Sequence, residues 1–206
     1  VGITIENFLE SLMYSLRVQE TNTKRSNKKR LLISFMGVGE PLLNIDLIKK
    51  VYKYESLIKE NLGYESIAYA LSTMMPNEEL KGLTEFVSTN NMPLKIHFSL
   101  HSPIDEKRKA LIPFTKVTVS EALDLLKNYS DIISKNETIM NKHKLHHKSN
   151  DLVEIHYTLI KGINDTHVEL NELVNLLTDK NITIKFIRFN PKEEMKISLE
   201  ENKWCE

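Results

Sequence analysis

Five stretches of the 206-residue chain carry residues suited to gripping a polar ligand, each directly behind a short apolar run. They are Gly37-Val38-Gly39-Glu40-Pro41, Ser72-Thr73, Ser99-Leu100-His101, Lys161-Gly162-Ile163-Asn164-Asp165 and Asn190-Pro191. Gly37 and Gly39 let the backbone turn sharply or approach a ligand closely, and Pro41 stiffens a loop with Glu40 at its apex. A carboxylate there suits an ammonium group; hydroxyls and amide side chains suit a ribose or a carboxylate. Taken alone, Gly-x-Gly-Glu-Pro also describes a strand-to-helix turn with a solvent-facing glutamate. Glu40, His101 and Lys161 also carry the groups an unrelated enzyme would need for proton transfer.

The elements that would hold these residues alternate. Apolar spacing over Thr4 to Arg17 predicts an amphipathic helix, and LLISFMG, SIAYALS, LKIHFSL, LVEIHYTLI and ITIKFIRF read as strands. Helices are predicted between them over Ile45–Ile58, Asn77–Val87, Val119–Ile133 and Thr166–Leu177. Thr118 with Glu121, and Thr166 with Glu169, have the spacing of capping boxes. Residues 134–151 interrupt the order with a polar stretch expected to be a flexible insertion. Strand, helix and strand in repeat is the pattern of parallel α/β folds, whose sites form at the C-terminal strand ends. About five strands are too few for a closed eight-stranded barrel, so an open sheet or partial barrel is expected.

Alternation along the strands separates two faces. Ile33, Phe35, Ile67, Tyr69, Leu71, Ile96, Phe98, Leu100, Ile155, Tyr157 and Leu159 form one that suits packing under helices. The other carries Ser34, Met36, Ala68, Ala70, Ser72, His97, Ser99, His101, Glu154, His156 and Thr158. Small and polar residues at every second position point to a concave face around a polar ligand, because a sheet covered on both sides reads as continuous Val, Ile and Leu; an antiparallel sheet with one face in water is the alternative. His97 and His156 are expected there as hydrogen-bonded lining.

Composition narrows the classes. Lysine plus arginine and aspartate plus glutamate number 28 each, so no net field draws the chain to nucleic acid or an anionic membrane. The single cysteine, Cys205, excludes a disulfide framework and any multi-cysteine metal site built from this chain. No apolar run approaches the roughly 20 residues of a membrane helix, and the opening residues are not signal-like. A cytoplasmic protein without membrane contact is expected. His143, His146 and His147 among lysines, and the run Lys24, Arg25, Lys28, Lys29 and Arg30, read as solvated loops. Val1 in place of methionine suggests a start partway through a longer chain.

FMGVGEPLLN, ALST, FSLHSPIDEKRKALIP, LIKGIND and RFNP, in this order and with helix-length gaps, resemble the radical S-adenosylmethionine (SAM) superfamily. The nearest group is the RlmN/Cfr family of ribosomal and transfer RNA adenine methyltransferases. The likeness runs from Leu32 to Pro191. It implies a partial parallel (β/α) barrel with about five of six strands present, residues 1–206 forming a radical SAM core truncated at its N-terminus. By position it implies Gly39 and Glu40 at the SAM amino group, and Ser72, then Ser99, Leu100 and His101, on the cofactor from the next two strands. Asn190 would lie near the adenosine. It also implies a 4Fe-4S cluster that donates an electron to SAM, an electron donor for it, and an RNA substrate.

Three features depart from the family, one being ALSTMMP, which is shorter than the family's usual glycine-containing turn at Ser72. The CxxxCxxC loop that holds the cluster would lie before Val1, so its ligands are not in this chain. The cysteine that carries the methyl group in methylating members lies well beyond the FNP motif, whereas Cys205 follows Asn190 closely and reads as an incidental thiol. Three readings follow: a radical SAM enzyme core, a cluster-free SAM-binding paralogue, and an unrelated (β/α) enzyme. Binding of SAM separates the third from the other two.

Overall fold

The computed structural model describes residues 2–22, 30–178, 180 and 182–190. In chain order these form α1 (Ile5–Asn22), β1 (Arg30–Phe35), a 3-10 turn (Pro41–Leu43), α2 (Ile45–Lys53), α3 (Glu55–Leu62), β2 (Ser66–Thr73), α4 (Leu80–Asn90) and β3 (Leu94–Ser99). They continue with α5 (Asp105–Leu111), α6 (Val119–Ile133), α7 (Glu137–His146), β4 (Val153–Leu159), α8 (His167–Leu177) and β5 (Thr183–Arg188). The five strands are all parallel and lie side by side in the order of the chain. Parallel crossovers share one hand. When every strand is added on the same side, that hand puts the core-packing crossover helices α2, α3, α4, α6 and α8 on one face and leaves the other without such a layer. The fold is therefore a partial barrel and not a doubly wound sheet.

The two faces separate as the alternation predicts. Tyr69, Leu71, Ile96, Phe98, Ile155 and Tyr157 are fully buried and join Leu83, Val87, Leu123 and Leu126 of the covering helices in one core. At about 1.5–3 kcal/mol for each fully buried large apolar side chain, this face holds the sheet to its helices. On the bare face Ser72, His97, Ser99, His156 and Thr158 stay partly accessible. β1 and β5 are the edges, and Leu32 and Phe186 are 46% and 39% exposed there.

Local signals account for the helix ends. Thr118 Oγ1 accepts from Glu121 N at 3.3 Å while Glu121 Oε2 accepts from Thr118 N at 2.8 Å, the reciprocal box that starts α6. Those bonds hold the Glu121 carboxyl below its ordinary pKa. The pair at Thr166 behaves differently. Its hydroxyl donates to the Glu169 carboxylate, which is fully buried and also paired with Lys107 of α5, so no side chain caps α8. The single helix expected over Ile45–Ile58 is broken at Tyr54, where α2 gives way to α3.

The largest correction is the stretch 134–151, expected as a flexible insertion with its histidines in a solvated loop. It contains α7, capped by Asn136 Oδ1 accepting from Ile139 N at 3.1 Å, with Ile139 and His143 fully buried. α7 packs at the N-terminal ends of the strands. His146 Nε2 lies 2.8 Å from the hydroxyl of Ser66, the first residue of β2. Arg30, first in β1, is exposed and donates to the Leu145 carbonyl. Lys24, Arg25, Lys28 and Lys29 lie outside the described residues.

Burial, followed by neighbouring positive charge, lowers the pKa of His97, His101, His143 and His146 to about 4. The unfolded chain titrates these rings near their ordinary value of about 6.5, so between about 6.5 and 4 it binds more protons than the folded chain. The stability that goes with neutral rings is complete above about 6.5 and falls as the pH drops toward 4. Thermal melts followed by circular dichroism should show Tm declining across this window, with a shallower slope for His143→Leu. A Tm independent of pH between 6.5 and 4 would contradict the buried neutral rings.

Candidate functional site at the C-terminal rim of the barrel

At the end of β1 the backbone enters the left-handed region twice, at Gly37 (φ 104°) and Gly39 (φ 83°). A Cβ at either position would meet nothing within 4 Å, so the demand for glycine is conformational and not steric. Glu40 then turns inward. Its Oε1 accepts from Leu42 N at 3.0 Å and from Thr73 Oγ1 at 2.6 Å, and its Oε2 accepts from Met74 N at 2.9 Å. One carboxylate thus caps the 3-10 turn and clamps the β1 loop to the end of β2. A concavity of 460 Å³ opens beside this loop, walled by Phe8, Ser34, Met36, Val38, Gly39 and Glu40.

The end of β2 places Ser72 half-buried on the bare face, followed by Met75 at φ 54°. β3 ends in Ser99, also half-buried, and in His101 at φ 59°. A left-handed histidine needs support, and Asn164 supplies it. Fully buried, Asn164 donates through Nδ2 to the carbonyls of His101 at 2.6 Å and Thr158 at 2.8 Å, while its Oδ1 accepts from Ile160 N at 2.7 Å. The His101 ring accepts through Nδ1 from Thr158 N at 3.0 Å, which leaves its proton on Nε2. Burial, then the charge of Arg108, keeps that ring neutral, with a pKa of about 4.

Gly39, Glu40, Ser72, Ser99 and His101 therefore stand at consecutive strand ends on one rim, and Asn190 sits exposed two residues beyond β5. Leu100 is the exception. Its side chain is fully buried in the core, its N–H donates to His156 O at 3.1 Å and its carbonyl accepts from Ser102 N at 2.8 Å. It positions its neighbours and offers no side chain to a ligand. Pro191 and Cys205 lie outside the described residues. Two contributors went unnoticed as site residues in the sequence. Asn164 was visible only as part of a polar loop. Arg108, 1% exposed, donates to Met74 O at 2.5 Å and lies 5.2 Å from the Phe98 ring centre, bracing the β2 end from α5. A basic residue on a short polar helix gives no signal of such burial.

Comparison with known proteins bears on this rim. No family model matches the chain. Over 179 residues, 85% of this chain, it is 29% identical to the protein named probable dual-specificity RNA methyltransferase RlmN of Thermotoga sp. (strain RQ2), of which it covers 46%. A radical SAM methyltransferase from Sphaerobacter thermophilus superposes with a TM-score of 0.68 at 19% identity, covering 97% of this chain and 51% of that one. This is the radical SAM fold. Streptococcus suis SuiB bound to S-adenosylmethionine also shares it, with a TM-score of 0.52 at 15% identity over 84% of this chain and 32% of that one. The chain thus spans about half the length of the curated relatives it matches.

The radical SAM fold brings two groups into question, and the residues present treat them differently. The positive-φ glycines, the inward carboxylate and the half-buried hydroxyls of the rim fit SAM, whose methionine end is charged and whose ribose is polar. A 4Fe-4S cluster with SAM on its fourth iron needs three thiolates. The chain holds one cysteine, so its own residues do not fit the cluster.

Removing Asn164 tests what holds the rim. Asn164→Ala leaves one buried N–H and two buried carbonyls without their partner, at about 1–3 kcal/mol for each unsatisfied group. Urea denaturation should show a loss of at least about 2 kcal/mol, and Asn164→Asp, which faces carbonyls with a carboxylate, should lose no less. A loss under about 0.5 kcal/mol, the range of ordinary surface changes, would mean that the loop is held otherwise.

Proposed function

We propose that this chain is the SAM-binding barrel of a radical SAM enzyme that transfers a methyl group to RNA. One observation carries the reading: a chain 29% identical to an RNA methyltransferase over 85% of its length gathers glycine, carboxylate, hydroxyl and imidazole groups on one rim. No described helix is long and apolar enough to cross a membrane.

In this reading Gly39 and Glu40 receive the SAM ammonium. A carboxylate offers about four lone-pair sites, and Leu42, Thr73 and Met74 occupy three of those on Glu40. One remains for an N–H of the ligand. The internal bonds pre-orient it, so no rotamer freedom is lost on binding. Ser72 and Ser99 supply hydroxyls from β2 and β3, neutral His101 presents Nε2–H as a donor, and Asn190 serves the adenosine end. An iron–sulfur cluster held outside this chain would supply the electron chemistry. The residues here bind SAM, orient it and keep water from it.

Glu40→Gln keeps the shape and removes the charge. A hydrogen bond to a charged group contributes about 1.5–3 kcal/mol, so affinity for SAM should fall by about tenfold to a hundredfold. Equilibrium dialysis of SAM against the product of the complete gene, cluster loaded, measures it, with Tm recorded because the substitution also touches the β2 clamp. Ser99→Ala, which disturbs no clamp, should weaken binding by a smaller factor. Unchanged affinity in both folded variants would overturn the assignment of this rim to SAM.

A further inference from the structure

Below the rim, on the bare face, three side chains converge that the SAM reading does not use. His97 on β3 pairs in register with Glu154 on β4, and His156 follows Glu154 two residues later on the same face. His97 Nδ1 lies 3.0 Å from His156 Nε2 and 3.3 Å from Glu154 Oε1, and His156 Nε2 lies 2.9 Å from the same oxygen. The three side chains are 14%, 18% and 17% exposed, enclosed but open toward the lumen. We propose that His97, Glu154 and His156 form a binding site for one divalent transition-metal ion, of the zinc or ferrous class, on the wall of the barrel.

The spacing supports this. Nitrogen and oxygen ligands stand about 2.0–2.2 Å from such an ion, so three of them on one face of its coordination sphere lie about 3.0–3.5 Å from each other. The observed triangle has nearly these sides. Protons satisfy it poorly. If both rings donate to Glu154 Oε1, two N–H groups face each other at 3.0 Å; if one ring donates to the other, a bare nitrogen lone pair faces the carboxylate. A cation at the centre makes all three contacts attractive at once.

A neighbouring cation orients the carboxylate of this set. Lys95, itself 6% exposed, grips the second oxygen, Oε2, at 3.2 Å. It thereby turns Oε1 toward the two rings, the outer-shell support that metal-bound carboxylates commonly have. Two histidines and one carboxylate on one side of the ion leave its lumen side open for water or a substrate oxygen or nitrogen. The site lies about 6.6 Å along the strands from Ser99 and Thr158, at roughly 3.3 Å per residue. It stands whether or not SAM binds at the rim.

Cobalt(II) is the probe, because it replaces zinc and ferrous iron and its visible ligand-field bands report nitrogen and oxygen ligation. The 206-residue chain, stripped with chelator, should bind one Co²⁺ with such bands, and Zn²⁺ should displace it. His97→Ala, His156→Ala and Glu154→Gln should each weaken Co²⁺ binding at least a hundredfold. His167→Ala, exposed on α8, and Cys205→Ser should leave it unchanged. Far-UV circular dichroism identifies any variant that fails to fold, and for that case the wild type gives a second readout: saturating Zn²⁺ should raise its Tm, as a ligand of the folded state must. Absence of the bands and of the Tm shift in the wild type would overturn the proposal. So would bands that persist in Glu154→Gln and His97→Ala, or that vanish in His167→Ala or Cys205→Ser.

Discussion

Everything in this molecule hangs on the handedness of the parallel crossover. Five parallel strands laid side by side in chain order must carry their helices on one side, since each crossover turns the same way. One face of the sheet is then sealed by Leu83, Val87, Leu126 and their neighbours, and the other is left without a covering layer. A bare face of Val and Ile would be an aggregation surface. Serines, histidines, a glutamate and a lysine line it instead, and they make it a place for polar ligands.

The same constraint sends every strand end to one rim, and the chain bends hard there. Gly37 and Gly39 after β1, Met75 after β2, His101 after β3 and Gly162 after β4 all have positive φ. Two of these are not glycine, so their conformations must be held by the surroundings. Met75 is fully buried, with its N–H donating to Thr73 Oγ1 at 2.8 Å, and Asn164 holds the carbonyl of His101. Thr73 also donates to Glu40, so the clamp on one strand end is continuous with the strained turn of the next. A rim built this way is set by its own contacts, so a ligand bound there would lose little to the ordering of the protein.

How much of this could be read from the residues alone depended on what each element packs against. The strands, the amphipathic helices and the box at Thr118 were legible because their patterns answer to an apolar core or to their own backbone. Glu169 was not, because Lys107 is distant in sequence and draws its carboxylate inward, away from the capping geometry that the spacing suggests. Leu100 shows how period-two alternation continues into the rim, where an apolar side chain still faces the helices while Ser99 beside it stays partly accessible on the bare face. The motifs located the strand ends that share one rim; they could not say which side chain at each end holds the loop and which is left open.

α7 carries the point furthest. Its composition is that of a loop, ETIMNKHKLH: only Ile139 and Met140 reach the apolar core, and the rest of the helix meets the polar N-terminal ends of the strands. Its ties are correspondingly polar. Lys142 donates to Asn91 O at 3.2 Å, Asn136 donates to Asn91 Oδ1 at 2.8 Å, and His146 meets Ser66. The His143 and His147 rings stack with centroids 4.4 Å apart, and the Lys95 charge acts on both. Hydrophobic periodicity detects only helices that lie on apolar ground. A helix that closes the floor of a polar barrel must look hydrophilic, and its burial becomes visible only when the barrel it closes is known.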